Sequence, residues 1–209
     1  MSTSITNLAG RIREETSQDH QQAEGGGFLG SLTRADVSVG AYRDFLVQML
    51  PIYQAIDEAA RQYRQAGQLV NIFDERLDRV QRLEADIRNL EGNSALLPET
   101  EAYVSAIQSA AKESPALLVA HHYTRYLGDL SGGQFIGRAI AKSYGEAVAG
   151  SLSWFNFEEL GDLNEFKDAY RQSLNEMNLT EEETVKLIDE VHLAYKLNTD
   201  VLNALGRIH

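Results

Sequence analysis

Residues 123–134 read Tyr123-Thr-Arg-Tyr-Leu-Gly-Asp-Leu-Ser-Gly-Gly-Gln134, inside a run that is otherwise helical in pattern. Pro115 opens this run as a first-turn proline, and apolar residues resume at helical spacing with Ile136 and Ile140. Within the stretch, three glycines fall inside six residues, and each costs a helix about 1 kcal/mol relative to alanine. The pattern allows either a loop between two helices or a kinked helix whose missing side chains let a flat ligand touch the backbone.

Towards the amino terminus, helical periodicity predicts two further segments. Residues four apart share a helical face, and the first segment has one such stripe: Leu8, Ile12, Thr16 and His20. The glycines at 25–27 predict a flexible exit from this first helix. A second helix is predicted over residues 39–65, with a kink at Pro51 because proline lacks the backbone donor.

Towards the carboxyl terminus, the same periodicity continues. Residues 74–90 have the pattern of a surface helix with one buried face, and Pro98 should open another helix. Thr180, with Glu183 three residues later, forms a capping box ahead of a long helix that should end near residue 205. Because alternating β-type patterns are hard to find, we predict an all-α chain with a single domain over residues 1–209.

The composition narrows the range of functions. The formal net charge of −12 disfavours nucleic acid as a partner, because phosphates would be repelled. The chain has no cysteine, which excludes disulfides and thiolate-bound metal centres. We expect a cytoplasmic protein without a membrane anchor, because no segment has the pattern of a signal peptide or the length of a bilayer span.

The stretch from Arg125 to Gln134 resembles the signature of the heme oxygenases. His20-Gln-Gln-Ala-Glu24 is similar to the proximal motif of that family, Phe166-Lys-Asp-Ala-Tyr-Arg171 resembles its propionate-binding helix, and the pattern ending at Asn198 resembles its last helix. The likeness covers most of the chain and is greatest to soluble bacterial enzymes of the actinobacterial type. It implies a helical bundle with heme between a proximal helix and a kinked distal helix.

On the proximal side, the resemblance implies that His20 is the axial ligand of the heme iron. Glu24 stands one turn further along the same helical face, where a carboxylate could accept the second N–H of the imidazole and orient the ring.

On the distal side, the resemblance implies that the backbone at Gly128 and Gly132 lies against the heme face and leaves the sixth position open. It implies that Asp129 orders waters that deliver protons, and that Tyr53 and Arg125 extend this hydrogen-bond network. A further pocket candidate is Ser131.

At the heme edge, the family's propionate partners match Lys167, Arg171 and Tyr123, and Arg13 lies two turns before His20. A family lysine three residues before the proximal histidine is replaced here by Ser17. The expected apolar walls are Phe28, Leu29, Phe155 and Tyr195. A family aromatic residue of the last helix is replaced by Leu202, which puts the product isomer in doubt.

The resemblance implies an enzyme that cleaves heme b with molecular oxygen to biliverdin, carbon monoxide and ferrous iron, using heme as both substrate and cofactor. An external electron donor, a reductase or a ferredoxin, is needed because the sequence has no flavin or nicotinamide fingerprint. We expect a monomer that serves iron acquisition.

The sequence disfavours three other classes of helical protein. A heme carrier or sensor would commonly fill the sixth position with His, Met or Tyr, whereas glycines and an aspartate stand there. A di-iron bundle needs E-x-x-H motifs, which are absent, and a thiamin-degrading relative needs a cysteine. No chemistry is assigned to the remaining histidines: His121, His122, His192 and His209.

Overall fold

The computed structural model describes residues 7–24 and 27–209, apart from the side chains of residues 22–24. Ten α-helices lie within this described part: α1 (Leu8–Glu15), α2 (Ser17–Glu24), α3 (Gly27–Arg34), α4 (Val39–Gln65), α5 (Val80–Arg88), α6 (Pro98–Glu113), α7 (Pro115–Gly128), α8 (Gln134–Tyr144), α9 (Leu163–Asn175) and α10 (Glu181–Ile208). The described ranges contain no strand, and the predicted all-α class is confirmed.

The glycine-rich stretch is helical rather than a loop. A five-residue π-helical turn, Asp129–Gly133, joins α7 to α8, and its flanking residues Gly128 and Gln134 have ordinary helical dihedral angles. A π turn inserts extra backbone into a helix and often marks a functional site. The structure therefore favours the second of the two interpretations, an interrupted helix.

Two long helices frame this segment. The α4 helix spans the predicted residues and continues through Pro51, with a cap in which Ser38 accepts from the backbone of Ala41. The α10 helix begins with the predicted capping box of Thr180 and Glu183. Within the bundle, α10 packs against α6 and α7, while α4 packs against α5 and α6. No helix of the described part combines the length and apolar character needed to cross a bilayer.

Two predicted boundaries were wrong. The first helix is interrupted at Thr16, whose hydroxyl donates to the carbonyl of Ile12 at 2.7 Å, a contact that bends helices. The predicted helix over 74–90 begins only at Val80, because the Asp57 carboxylate accepts from the backbone N–H groups of Arg79 and Val80 and so caps α5 from outside its own sequence. The predicted flexible exit covers residues 25–27. Gly25 and Gly26 lie outside the described residues, and Gly27 begins α3.

Candidate active site

A cavity of about 280 Å³ lies between the proximal helix α2 and the π turn. Its size is near the lower limit for small-molecule pockets. Helices α3, α4, α7, α8 and α10 and the short turn at 153–155 complete its wall. The lining side chains and glycines are His20, Leu29, Gly30, Thr33, Phe45, Thr124, Arg125, Gly128, Asp129, Gly132, Gly133, Phe135, Ile136, Trp154, Phe155, Tyr195, Asn198 and Leu202.

On one side of the cavity stands His20. It is exposed in the ligand-free chain, and its ring meets the edge of Tyr195 with the ring centroids 6.0 Å apart. The predicted partner Glu24 ends α2, but its side chain lies outside the described ones. The structure thus places one imidazole at the cavity, on a helix adjacent to α10.

On the opposite side, backbone forms much of the surface. Gly128 and Gly132 both line the cavity. A Cβ atom built on Gly128 would meet nothing within 4 Å outside its own helix, so a side chain there would occupy open space. This open space beside the backbone fits a flat ring system that lies against the helix.

Beside the glycines, three helices contribute to a buried polar network. Asp129 accepts a hydrogen bond from the Tyr53 hydroxyl. The Arg125 guanidinium donates to the same hydroxyl from two nitrogens, at 3.0 and 3.1 Å, and to Asn198 Oδ1 at 2.5 Å. It also lies 3.6 Å from the Asp129 carboxylate. The structure therefore brings together all three polar distal residues expected from the sequence.

The network influences the pKa of the Asp129 carboxyl. Burial raises its pKa above the usual value, and the positive charge of Arg125 and the hydrogen bond from Tyr53 oppose that rise. Because one carboxylate oxygen is held by Tyr53, Asp129 can position a water in the cavity without moving itself. A fixed carboxylate of this kind is suited to organising proton delivery through water.

The predicted basic residues lie at the edge of the site rather than in its lining. Lys167 Nζ is 3.4 Å from the Ser131 hydroxyl, and Arg171 contacts Asp168 one turn earlier on α9. Burial raises the pKa of Tyr123, and the charges of Arg171 and Arg13 partly offset that rise. Ser131 is exposed beside Lys167. Lys167 and Arg171 are four residues apart on α9 and therefore share a helical face.

The apolar wall differs in part from the prediction. Leu29, Phe155 and Tyr195 line the cavity, whereas Phe28 is buried behind it, 6.3 Å from Phe45 between ring centroids. Phe155 packs so closely on α8 that a Cβ at Gly137 would come within 2.7 Å of its ring. Its carbonyl also accepts from Gln134 at 2.9 Å.

Sequence reasoning missed several residues of the site. Asn198 was not predicted as a site residue, although an amide on the apolar face of α10 indicates a buried polar contact. Trp154 and Thr124 line the cavity and were not predicted. Two of the remaining histidines have buried structural contacts, His121 with Glu190 and His122 with Tyr170, each at 2.8 Å.

Comparison with known proteins gives one consistent result. A sequence model described as heme oxygenase matches residues 6–204. The chain is 32% identical to heme oxygenase 1 of the cyanobacterium Synechocystis sp. over 204 residues, which cover 95% of this chain and 85% of that protein. It is 31% identical to the heme oxygenase of Rhodella violacea over 206 residues, or 96% and 88% of the two chains.

Solved structures agree with this likeness. The crystal structure of heme oxygenase-1 from Synechocystis sp. in complex with heme superposes with a TM-score of 0.85 at 30% identity, covering 95% of this chain and 92% of that one. The structure of heme oxygenase from Leptospira interrogans gives a TM-score of 0.86 at 28% identity, with coverages of 95% and 99%.

Proposed function

The chain belongs to the heme oxygenase family, and we propose that it carries out the family's reaction with the residues gathered around this cavity. It is an enzyme that cleaves heme to biliverdin, carbon monoxide and ferrous iron, with oxygen as co-substrate. Heme supplies both the iron at which oxygen is reduced and the porphyrin ring that is cleaved. The observation that carries the assignment of residues is the opposition of one histidine to a glycine-lined helix with a buried carboxylate.

On the proximal side, His20 binds the heme iron. The position of this imidazole at the cavity supports that role. Glu24 orients the ring by accepting its second N–H, as expected from its place one turn later on α2.

On the distal side, Gly128 and Gly132 contact the porphyrin face through backbone, which leaves the sixth position without a competing side chain. Asp129 holds a water that passes protons into the cavity, and its carboxylate is kept in place by Tyr53. Arg125 fixes the Tyr53 hydroxyl and balances the buried negative charge.

At the edge, Lys167, Arg171, Arg13 and Tyr123 receive the propionates. Lys167 and Arg171 share a face of α9, and the negative charge of the whole chain makes local basic groups necessary for binding an anionic edge. Leu29, Phe155 and Tyr195 form the apolar wall, and Phe28 supports it from behind. Ser131 is a polar neighbour of Lys167.

The proposal extends to the electron donor, the location and the biological role of the protein. An external reductase or ferredoxin supplies the electrons. The protein acts as a cytoplasmic monomer with one domain over residues 1–209, and its role is iron acquisition. The likeness to the actinobacterial type stays a prediction.

Turnover with a defined reductant tests the assignment. We expect the heme complex, given reductant and oxygen, to lose its Soret band and develop a biliverdin absorbance. Persistence of the Soret band without biliverdin would instead indicate a carrier or sensor.

Two variants separate the binding role from the chemical role. His20→Ala should abolish normal axial ligation, seen in the absorption spectrum of the ferric complex. Asp129→Ala should bind heme and yield little biliverdin, so a normal yield from this variant would refute the role given to Asp129.

A further inference from the structure

The proximal helix α2 has very little apolar packing. Of the side chains described on it, residues 17–21, Asp19 alone is half-buried and the other four are exposed. An eight-residue helix is too short to be stable in isolation, since isolated helices below about 12 residues are marginal in water. The position of α2 must therefore depend on specific contacts with its neighbours.

One such contact joins α2 to α10. The carboxylate of Asp19 accepts a hydrogen bond from Nδ1 of His192, with Oδ2 and Nδ1 2.7 Å apart. The two residues are 173 positions apart in the chain, so the contact closes the amino-terminal segment onto the last helix. Because α10 is a capped, 28-residue helix that packs on the core, it is a firm anchor.

A second contact lies beside the first. His20 follows Asp19 directly, and its ring meets Tyr195, which stands one turn beyond His192 on the same face of α10. Successive residues of a helix differ in direction by about 100°. Two adjacent residues of α2 held by two residues of α10 therefore fix the rotation of α2 about its own axis, and with it the direction of the His20 imidazole.

We propose that His192 is a positioning residue for the axial ligand, acting through Asp19 to hold α2 in the rotation that presents His20 to the heme iron. The inference rests on the proposed function, in which His20 is that ligand. The pair also forms part of a surface pocket that Tyr195 separates from the heme cavity, so the contact lies directly behind the ligand.

Variants of the pair test this role. Asp19→Asn removes the carboxylate from this contact, and His192→Leu removes the imidazole. Lys196→Gln is the matched control, because Lys196 lines the same pocket and pairs within α10, with Asp200 at 2.6 Å. Partly exposed pairs are worth a few-fold in an equilibrium. We expect each pair variant to speed the amide exchange of residues 20–24 in the heme-free chain by about two- to fivefold. Heme release should become faster by a similar factor. Lys196→Gln should leave both rates unchanged.

Two further readouts separate positioning from general stability. The iron–histidine stretching band of the ferrous heme complex should shift or broaden in both pair variants, while the melting temperature of the heme-free chain stays that of wild type. The double variant should match the single ones, because both remove the same contact.

The proposal would be overturned if both single variants matched the Lys196→Gln control in the rate of amide exchange, the rate of heme release and the position of the stretching band. Fully additive effects in the double variant would overturn it as well. Failure of the ligand assignment is distinguishable from this. It would appear as normal ligation in His20→Ala, whereas the exchange of α2 is measured without heme.

Discussion

The two sides of the cavity are built in contrasting ways. The distal side is a buried segment in which Tyr53 and Arg125 hold the Asp129 carboxylate, and Asn198 in turn accepts from Arg125, so that three helices contribute. The proximal side is a short, largely exposed helix anchored at Asp19. The groups proposed to deliver protons are thus held in place by contacts within the protein, which is the condition for electrostatic preorganisation. The proposed ligand side depends on the contacts between α2 and α10.

The largest effect should come from removing the centre of the distal network. Arg125→Leu leaves the buried Asp129 carboxylate without its cation and the Asn198 oxygen without its donor. Removing one partner of a buried pair costs about 3–5 kcal/mol. We expect the free energy of unfolding of the heme-free chain to fall by that amount in urea titrations. His192→Leu on the proximal side should leave the free energy of global unfolding close to that of wild type, because its contact holds the short helix α2. Equal losses in the two variants would contradict the contrast.

The next effect concerns acid stability. His122 on α7 is buried against Tyr170, and burial, assisted by the charge of Arg64, lowers its pKa to about 3 from the usual 6.5. Below pH 6.5 the unfolded chain binds a proton that the folded chain does not take up until about pH 3. The contribution of His122 to stability therefore falls as the pH decreases through this window, by about 2 kcal/mol between pH 7 and pH 5. Asp57 contributes in the opposite direction, because burial raises the pKa of its carboxyl to about 7 in the folded chain.

Urea midpoints across that range test this prediction. His122→Gln keeps an acceptor for the Tyr170 hydroxyl but cannot be protonated, so between pH 7 and pH 5 its stability should rise relative to that of wild type by about 2 kcal/mol. An unchanged slope in His122→Gln would rule out His122 as the source.

A third effect lies in the cavity wall. A Cβ at Gly137 would come within 2.7 Å of the Phe155 ring, and overpacking of this kind costs about 1–3 kcal/mol. Gly137→Ala should destabilise the heme-free chain by that amount and push Phe155 towards the cavity, which would change the ratio of biliverdin isomers. Chromatography of the products and urea titration measure the two outcomes. An unchanged isomer ratio with normal stability would show that Phe155 moves aside without consequence.

The contrast between the two sides also explains what the sequence could predict. Helix α4 was predicted over its observed residues, and the capping box of α10 was confirmed, because these signals are local. The distal motif was informative because its glycines and aspartate are adjacent in the chain. Local periodicity could not predict that Asp57 caps α5, because the two partners are 22 residues apart and meet only in the fold.

The same reason applies to the parts of the site that were missed. Asn198 and Arg125 are 73 residues apart, and Asp19 and His192 are 173 apart. An exposed histidine on a helix has no sequence feature that distinguishes a surface side chain from one that anchors another helix. The resemblance in sequence therefore predicted the distal residues and the axial ligand, whereas the contacts that hold these residues in place required the tertiary structure.

The smallest effect on folding should be at Gly128, where the two sides face each other. Its backbone is helical, and an added Cβ would meet nothing within 4 Å outside its own helix. Gly128→Ala should therefore stabilise the heme-free chain by about 0.5–1 kcal/mol, since alanine loses less backbone entropy in a helix. The added methyl group would stand in the space assigned to the porphyrin face, so heme affinity should fall although the fold is more stable. Urea titration and heme titration of the same preparation measure the two quantities. Gly137→Ala should lower the free energy of unfolding, whereas Gly128→Ala should raise it. Opposite signs for the same chemical change would distinguish a glycine required by packing from one required by the ligand. Tighter heme binding by Gly128→Ala would contradict the assignment of that backbone to the heme face.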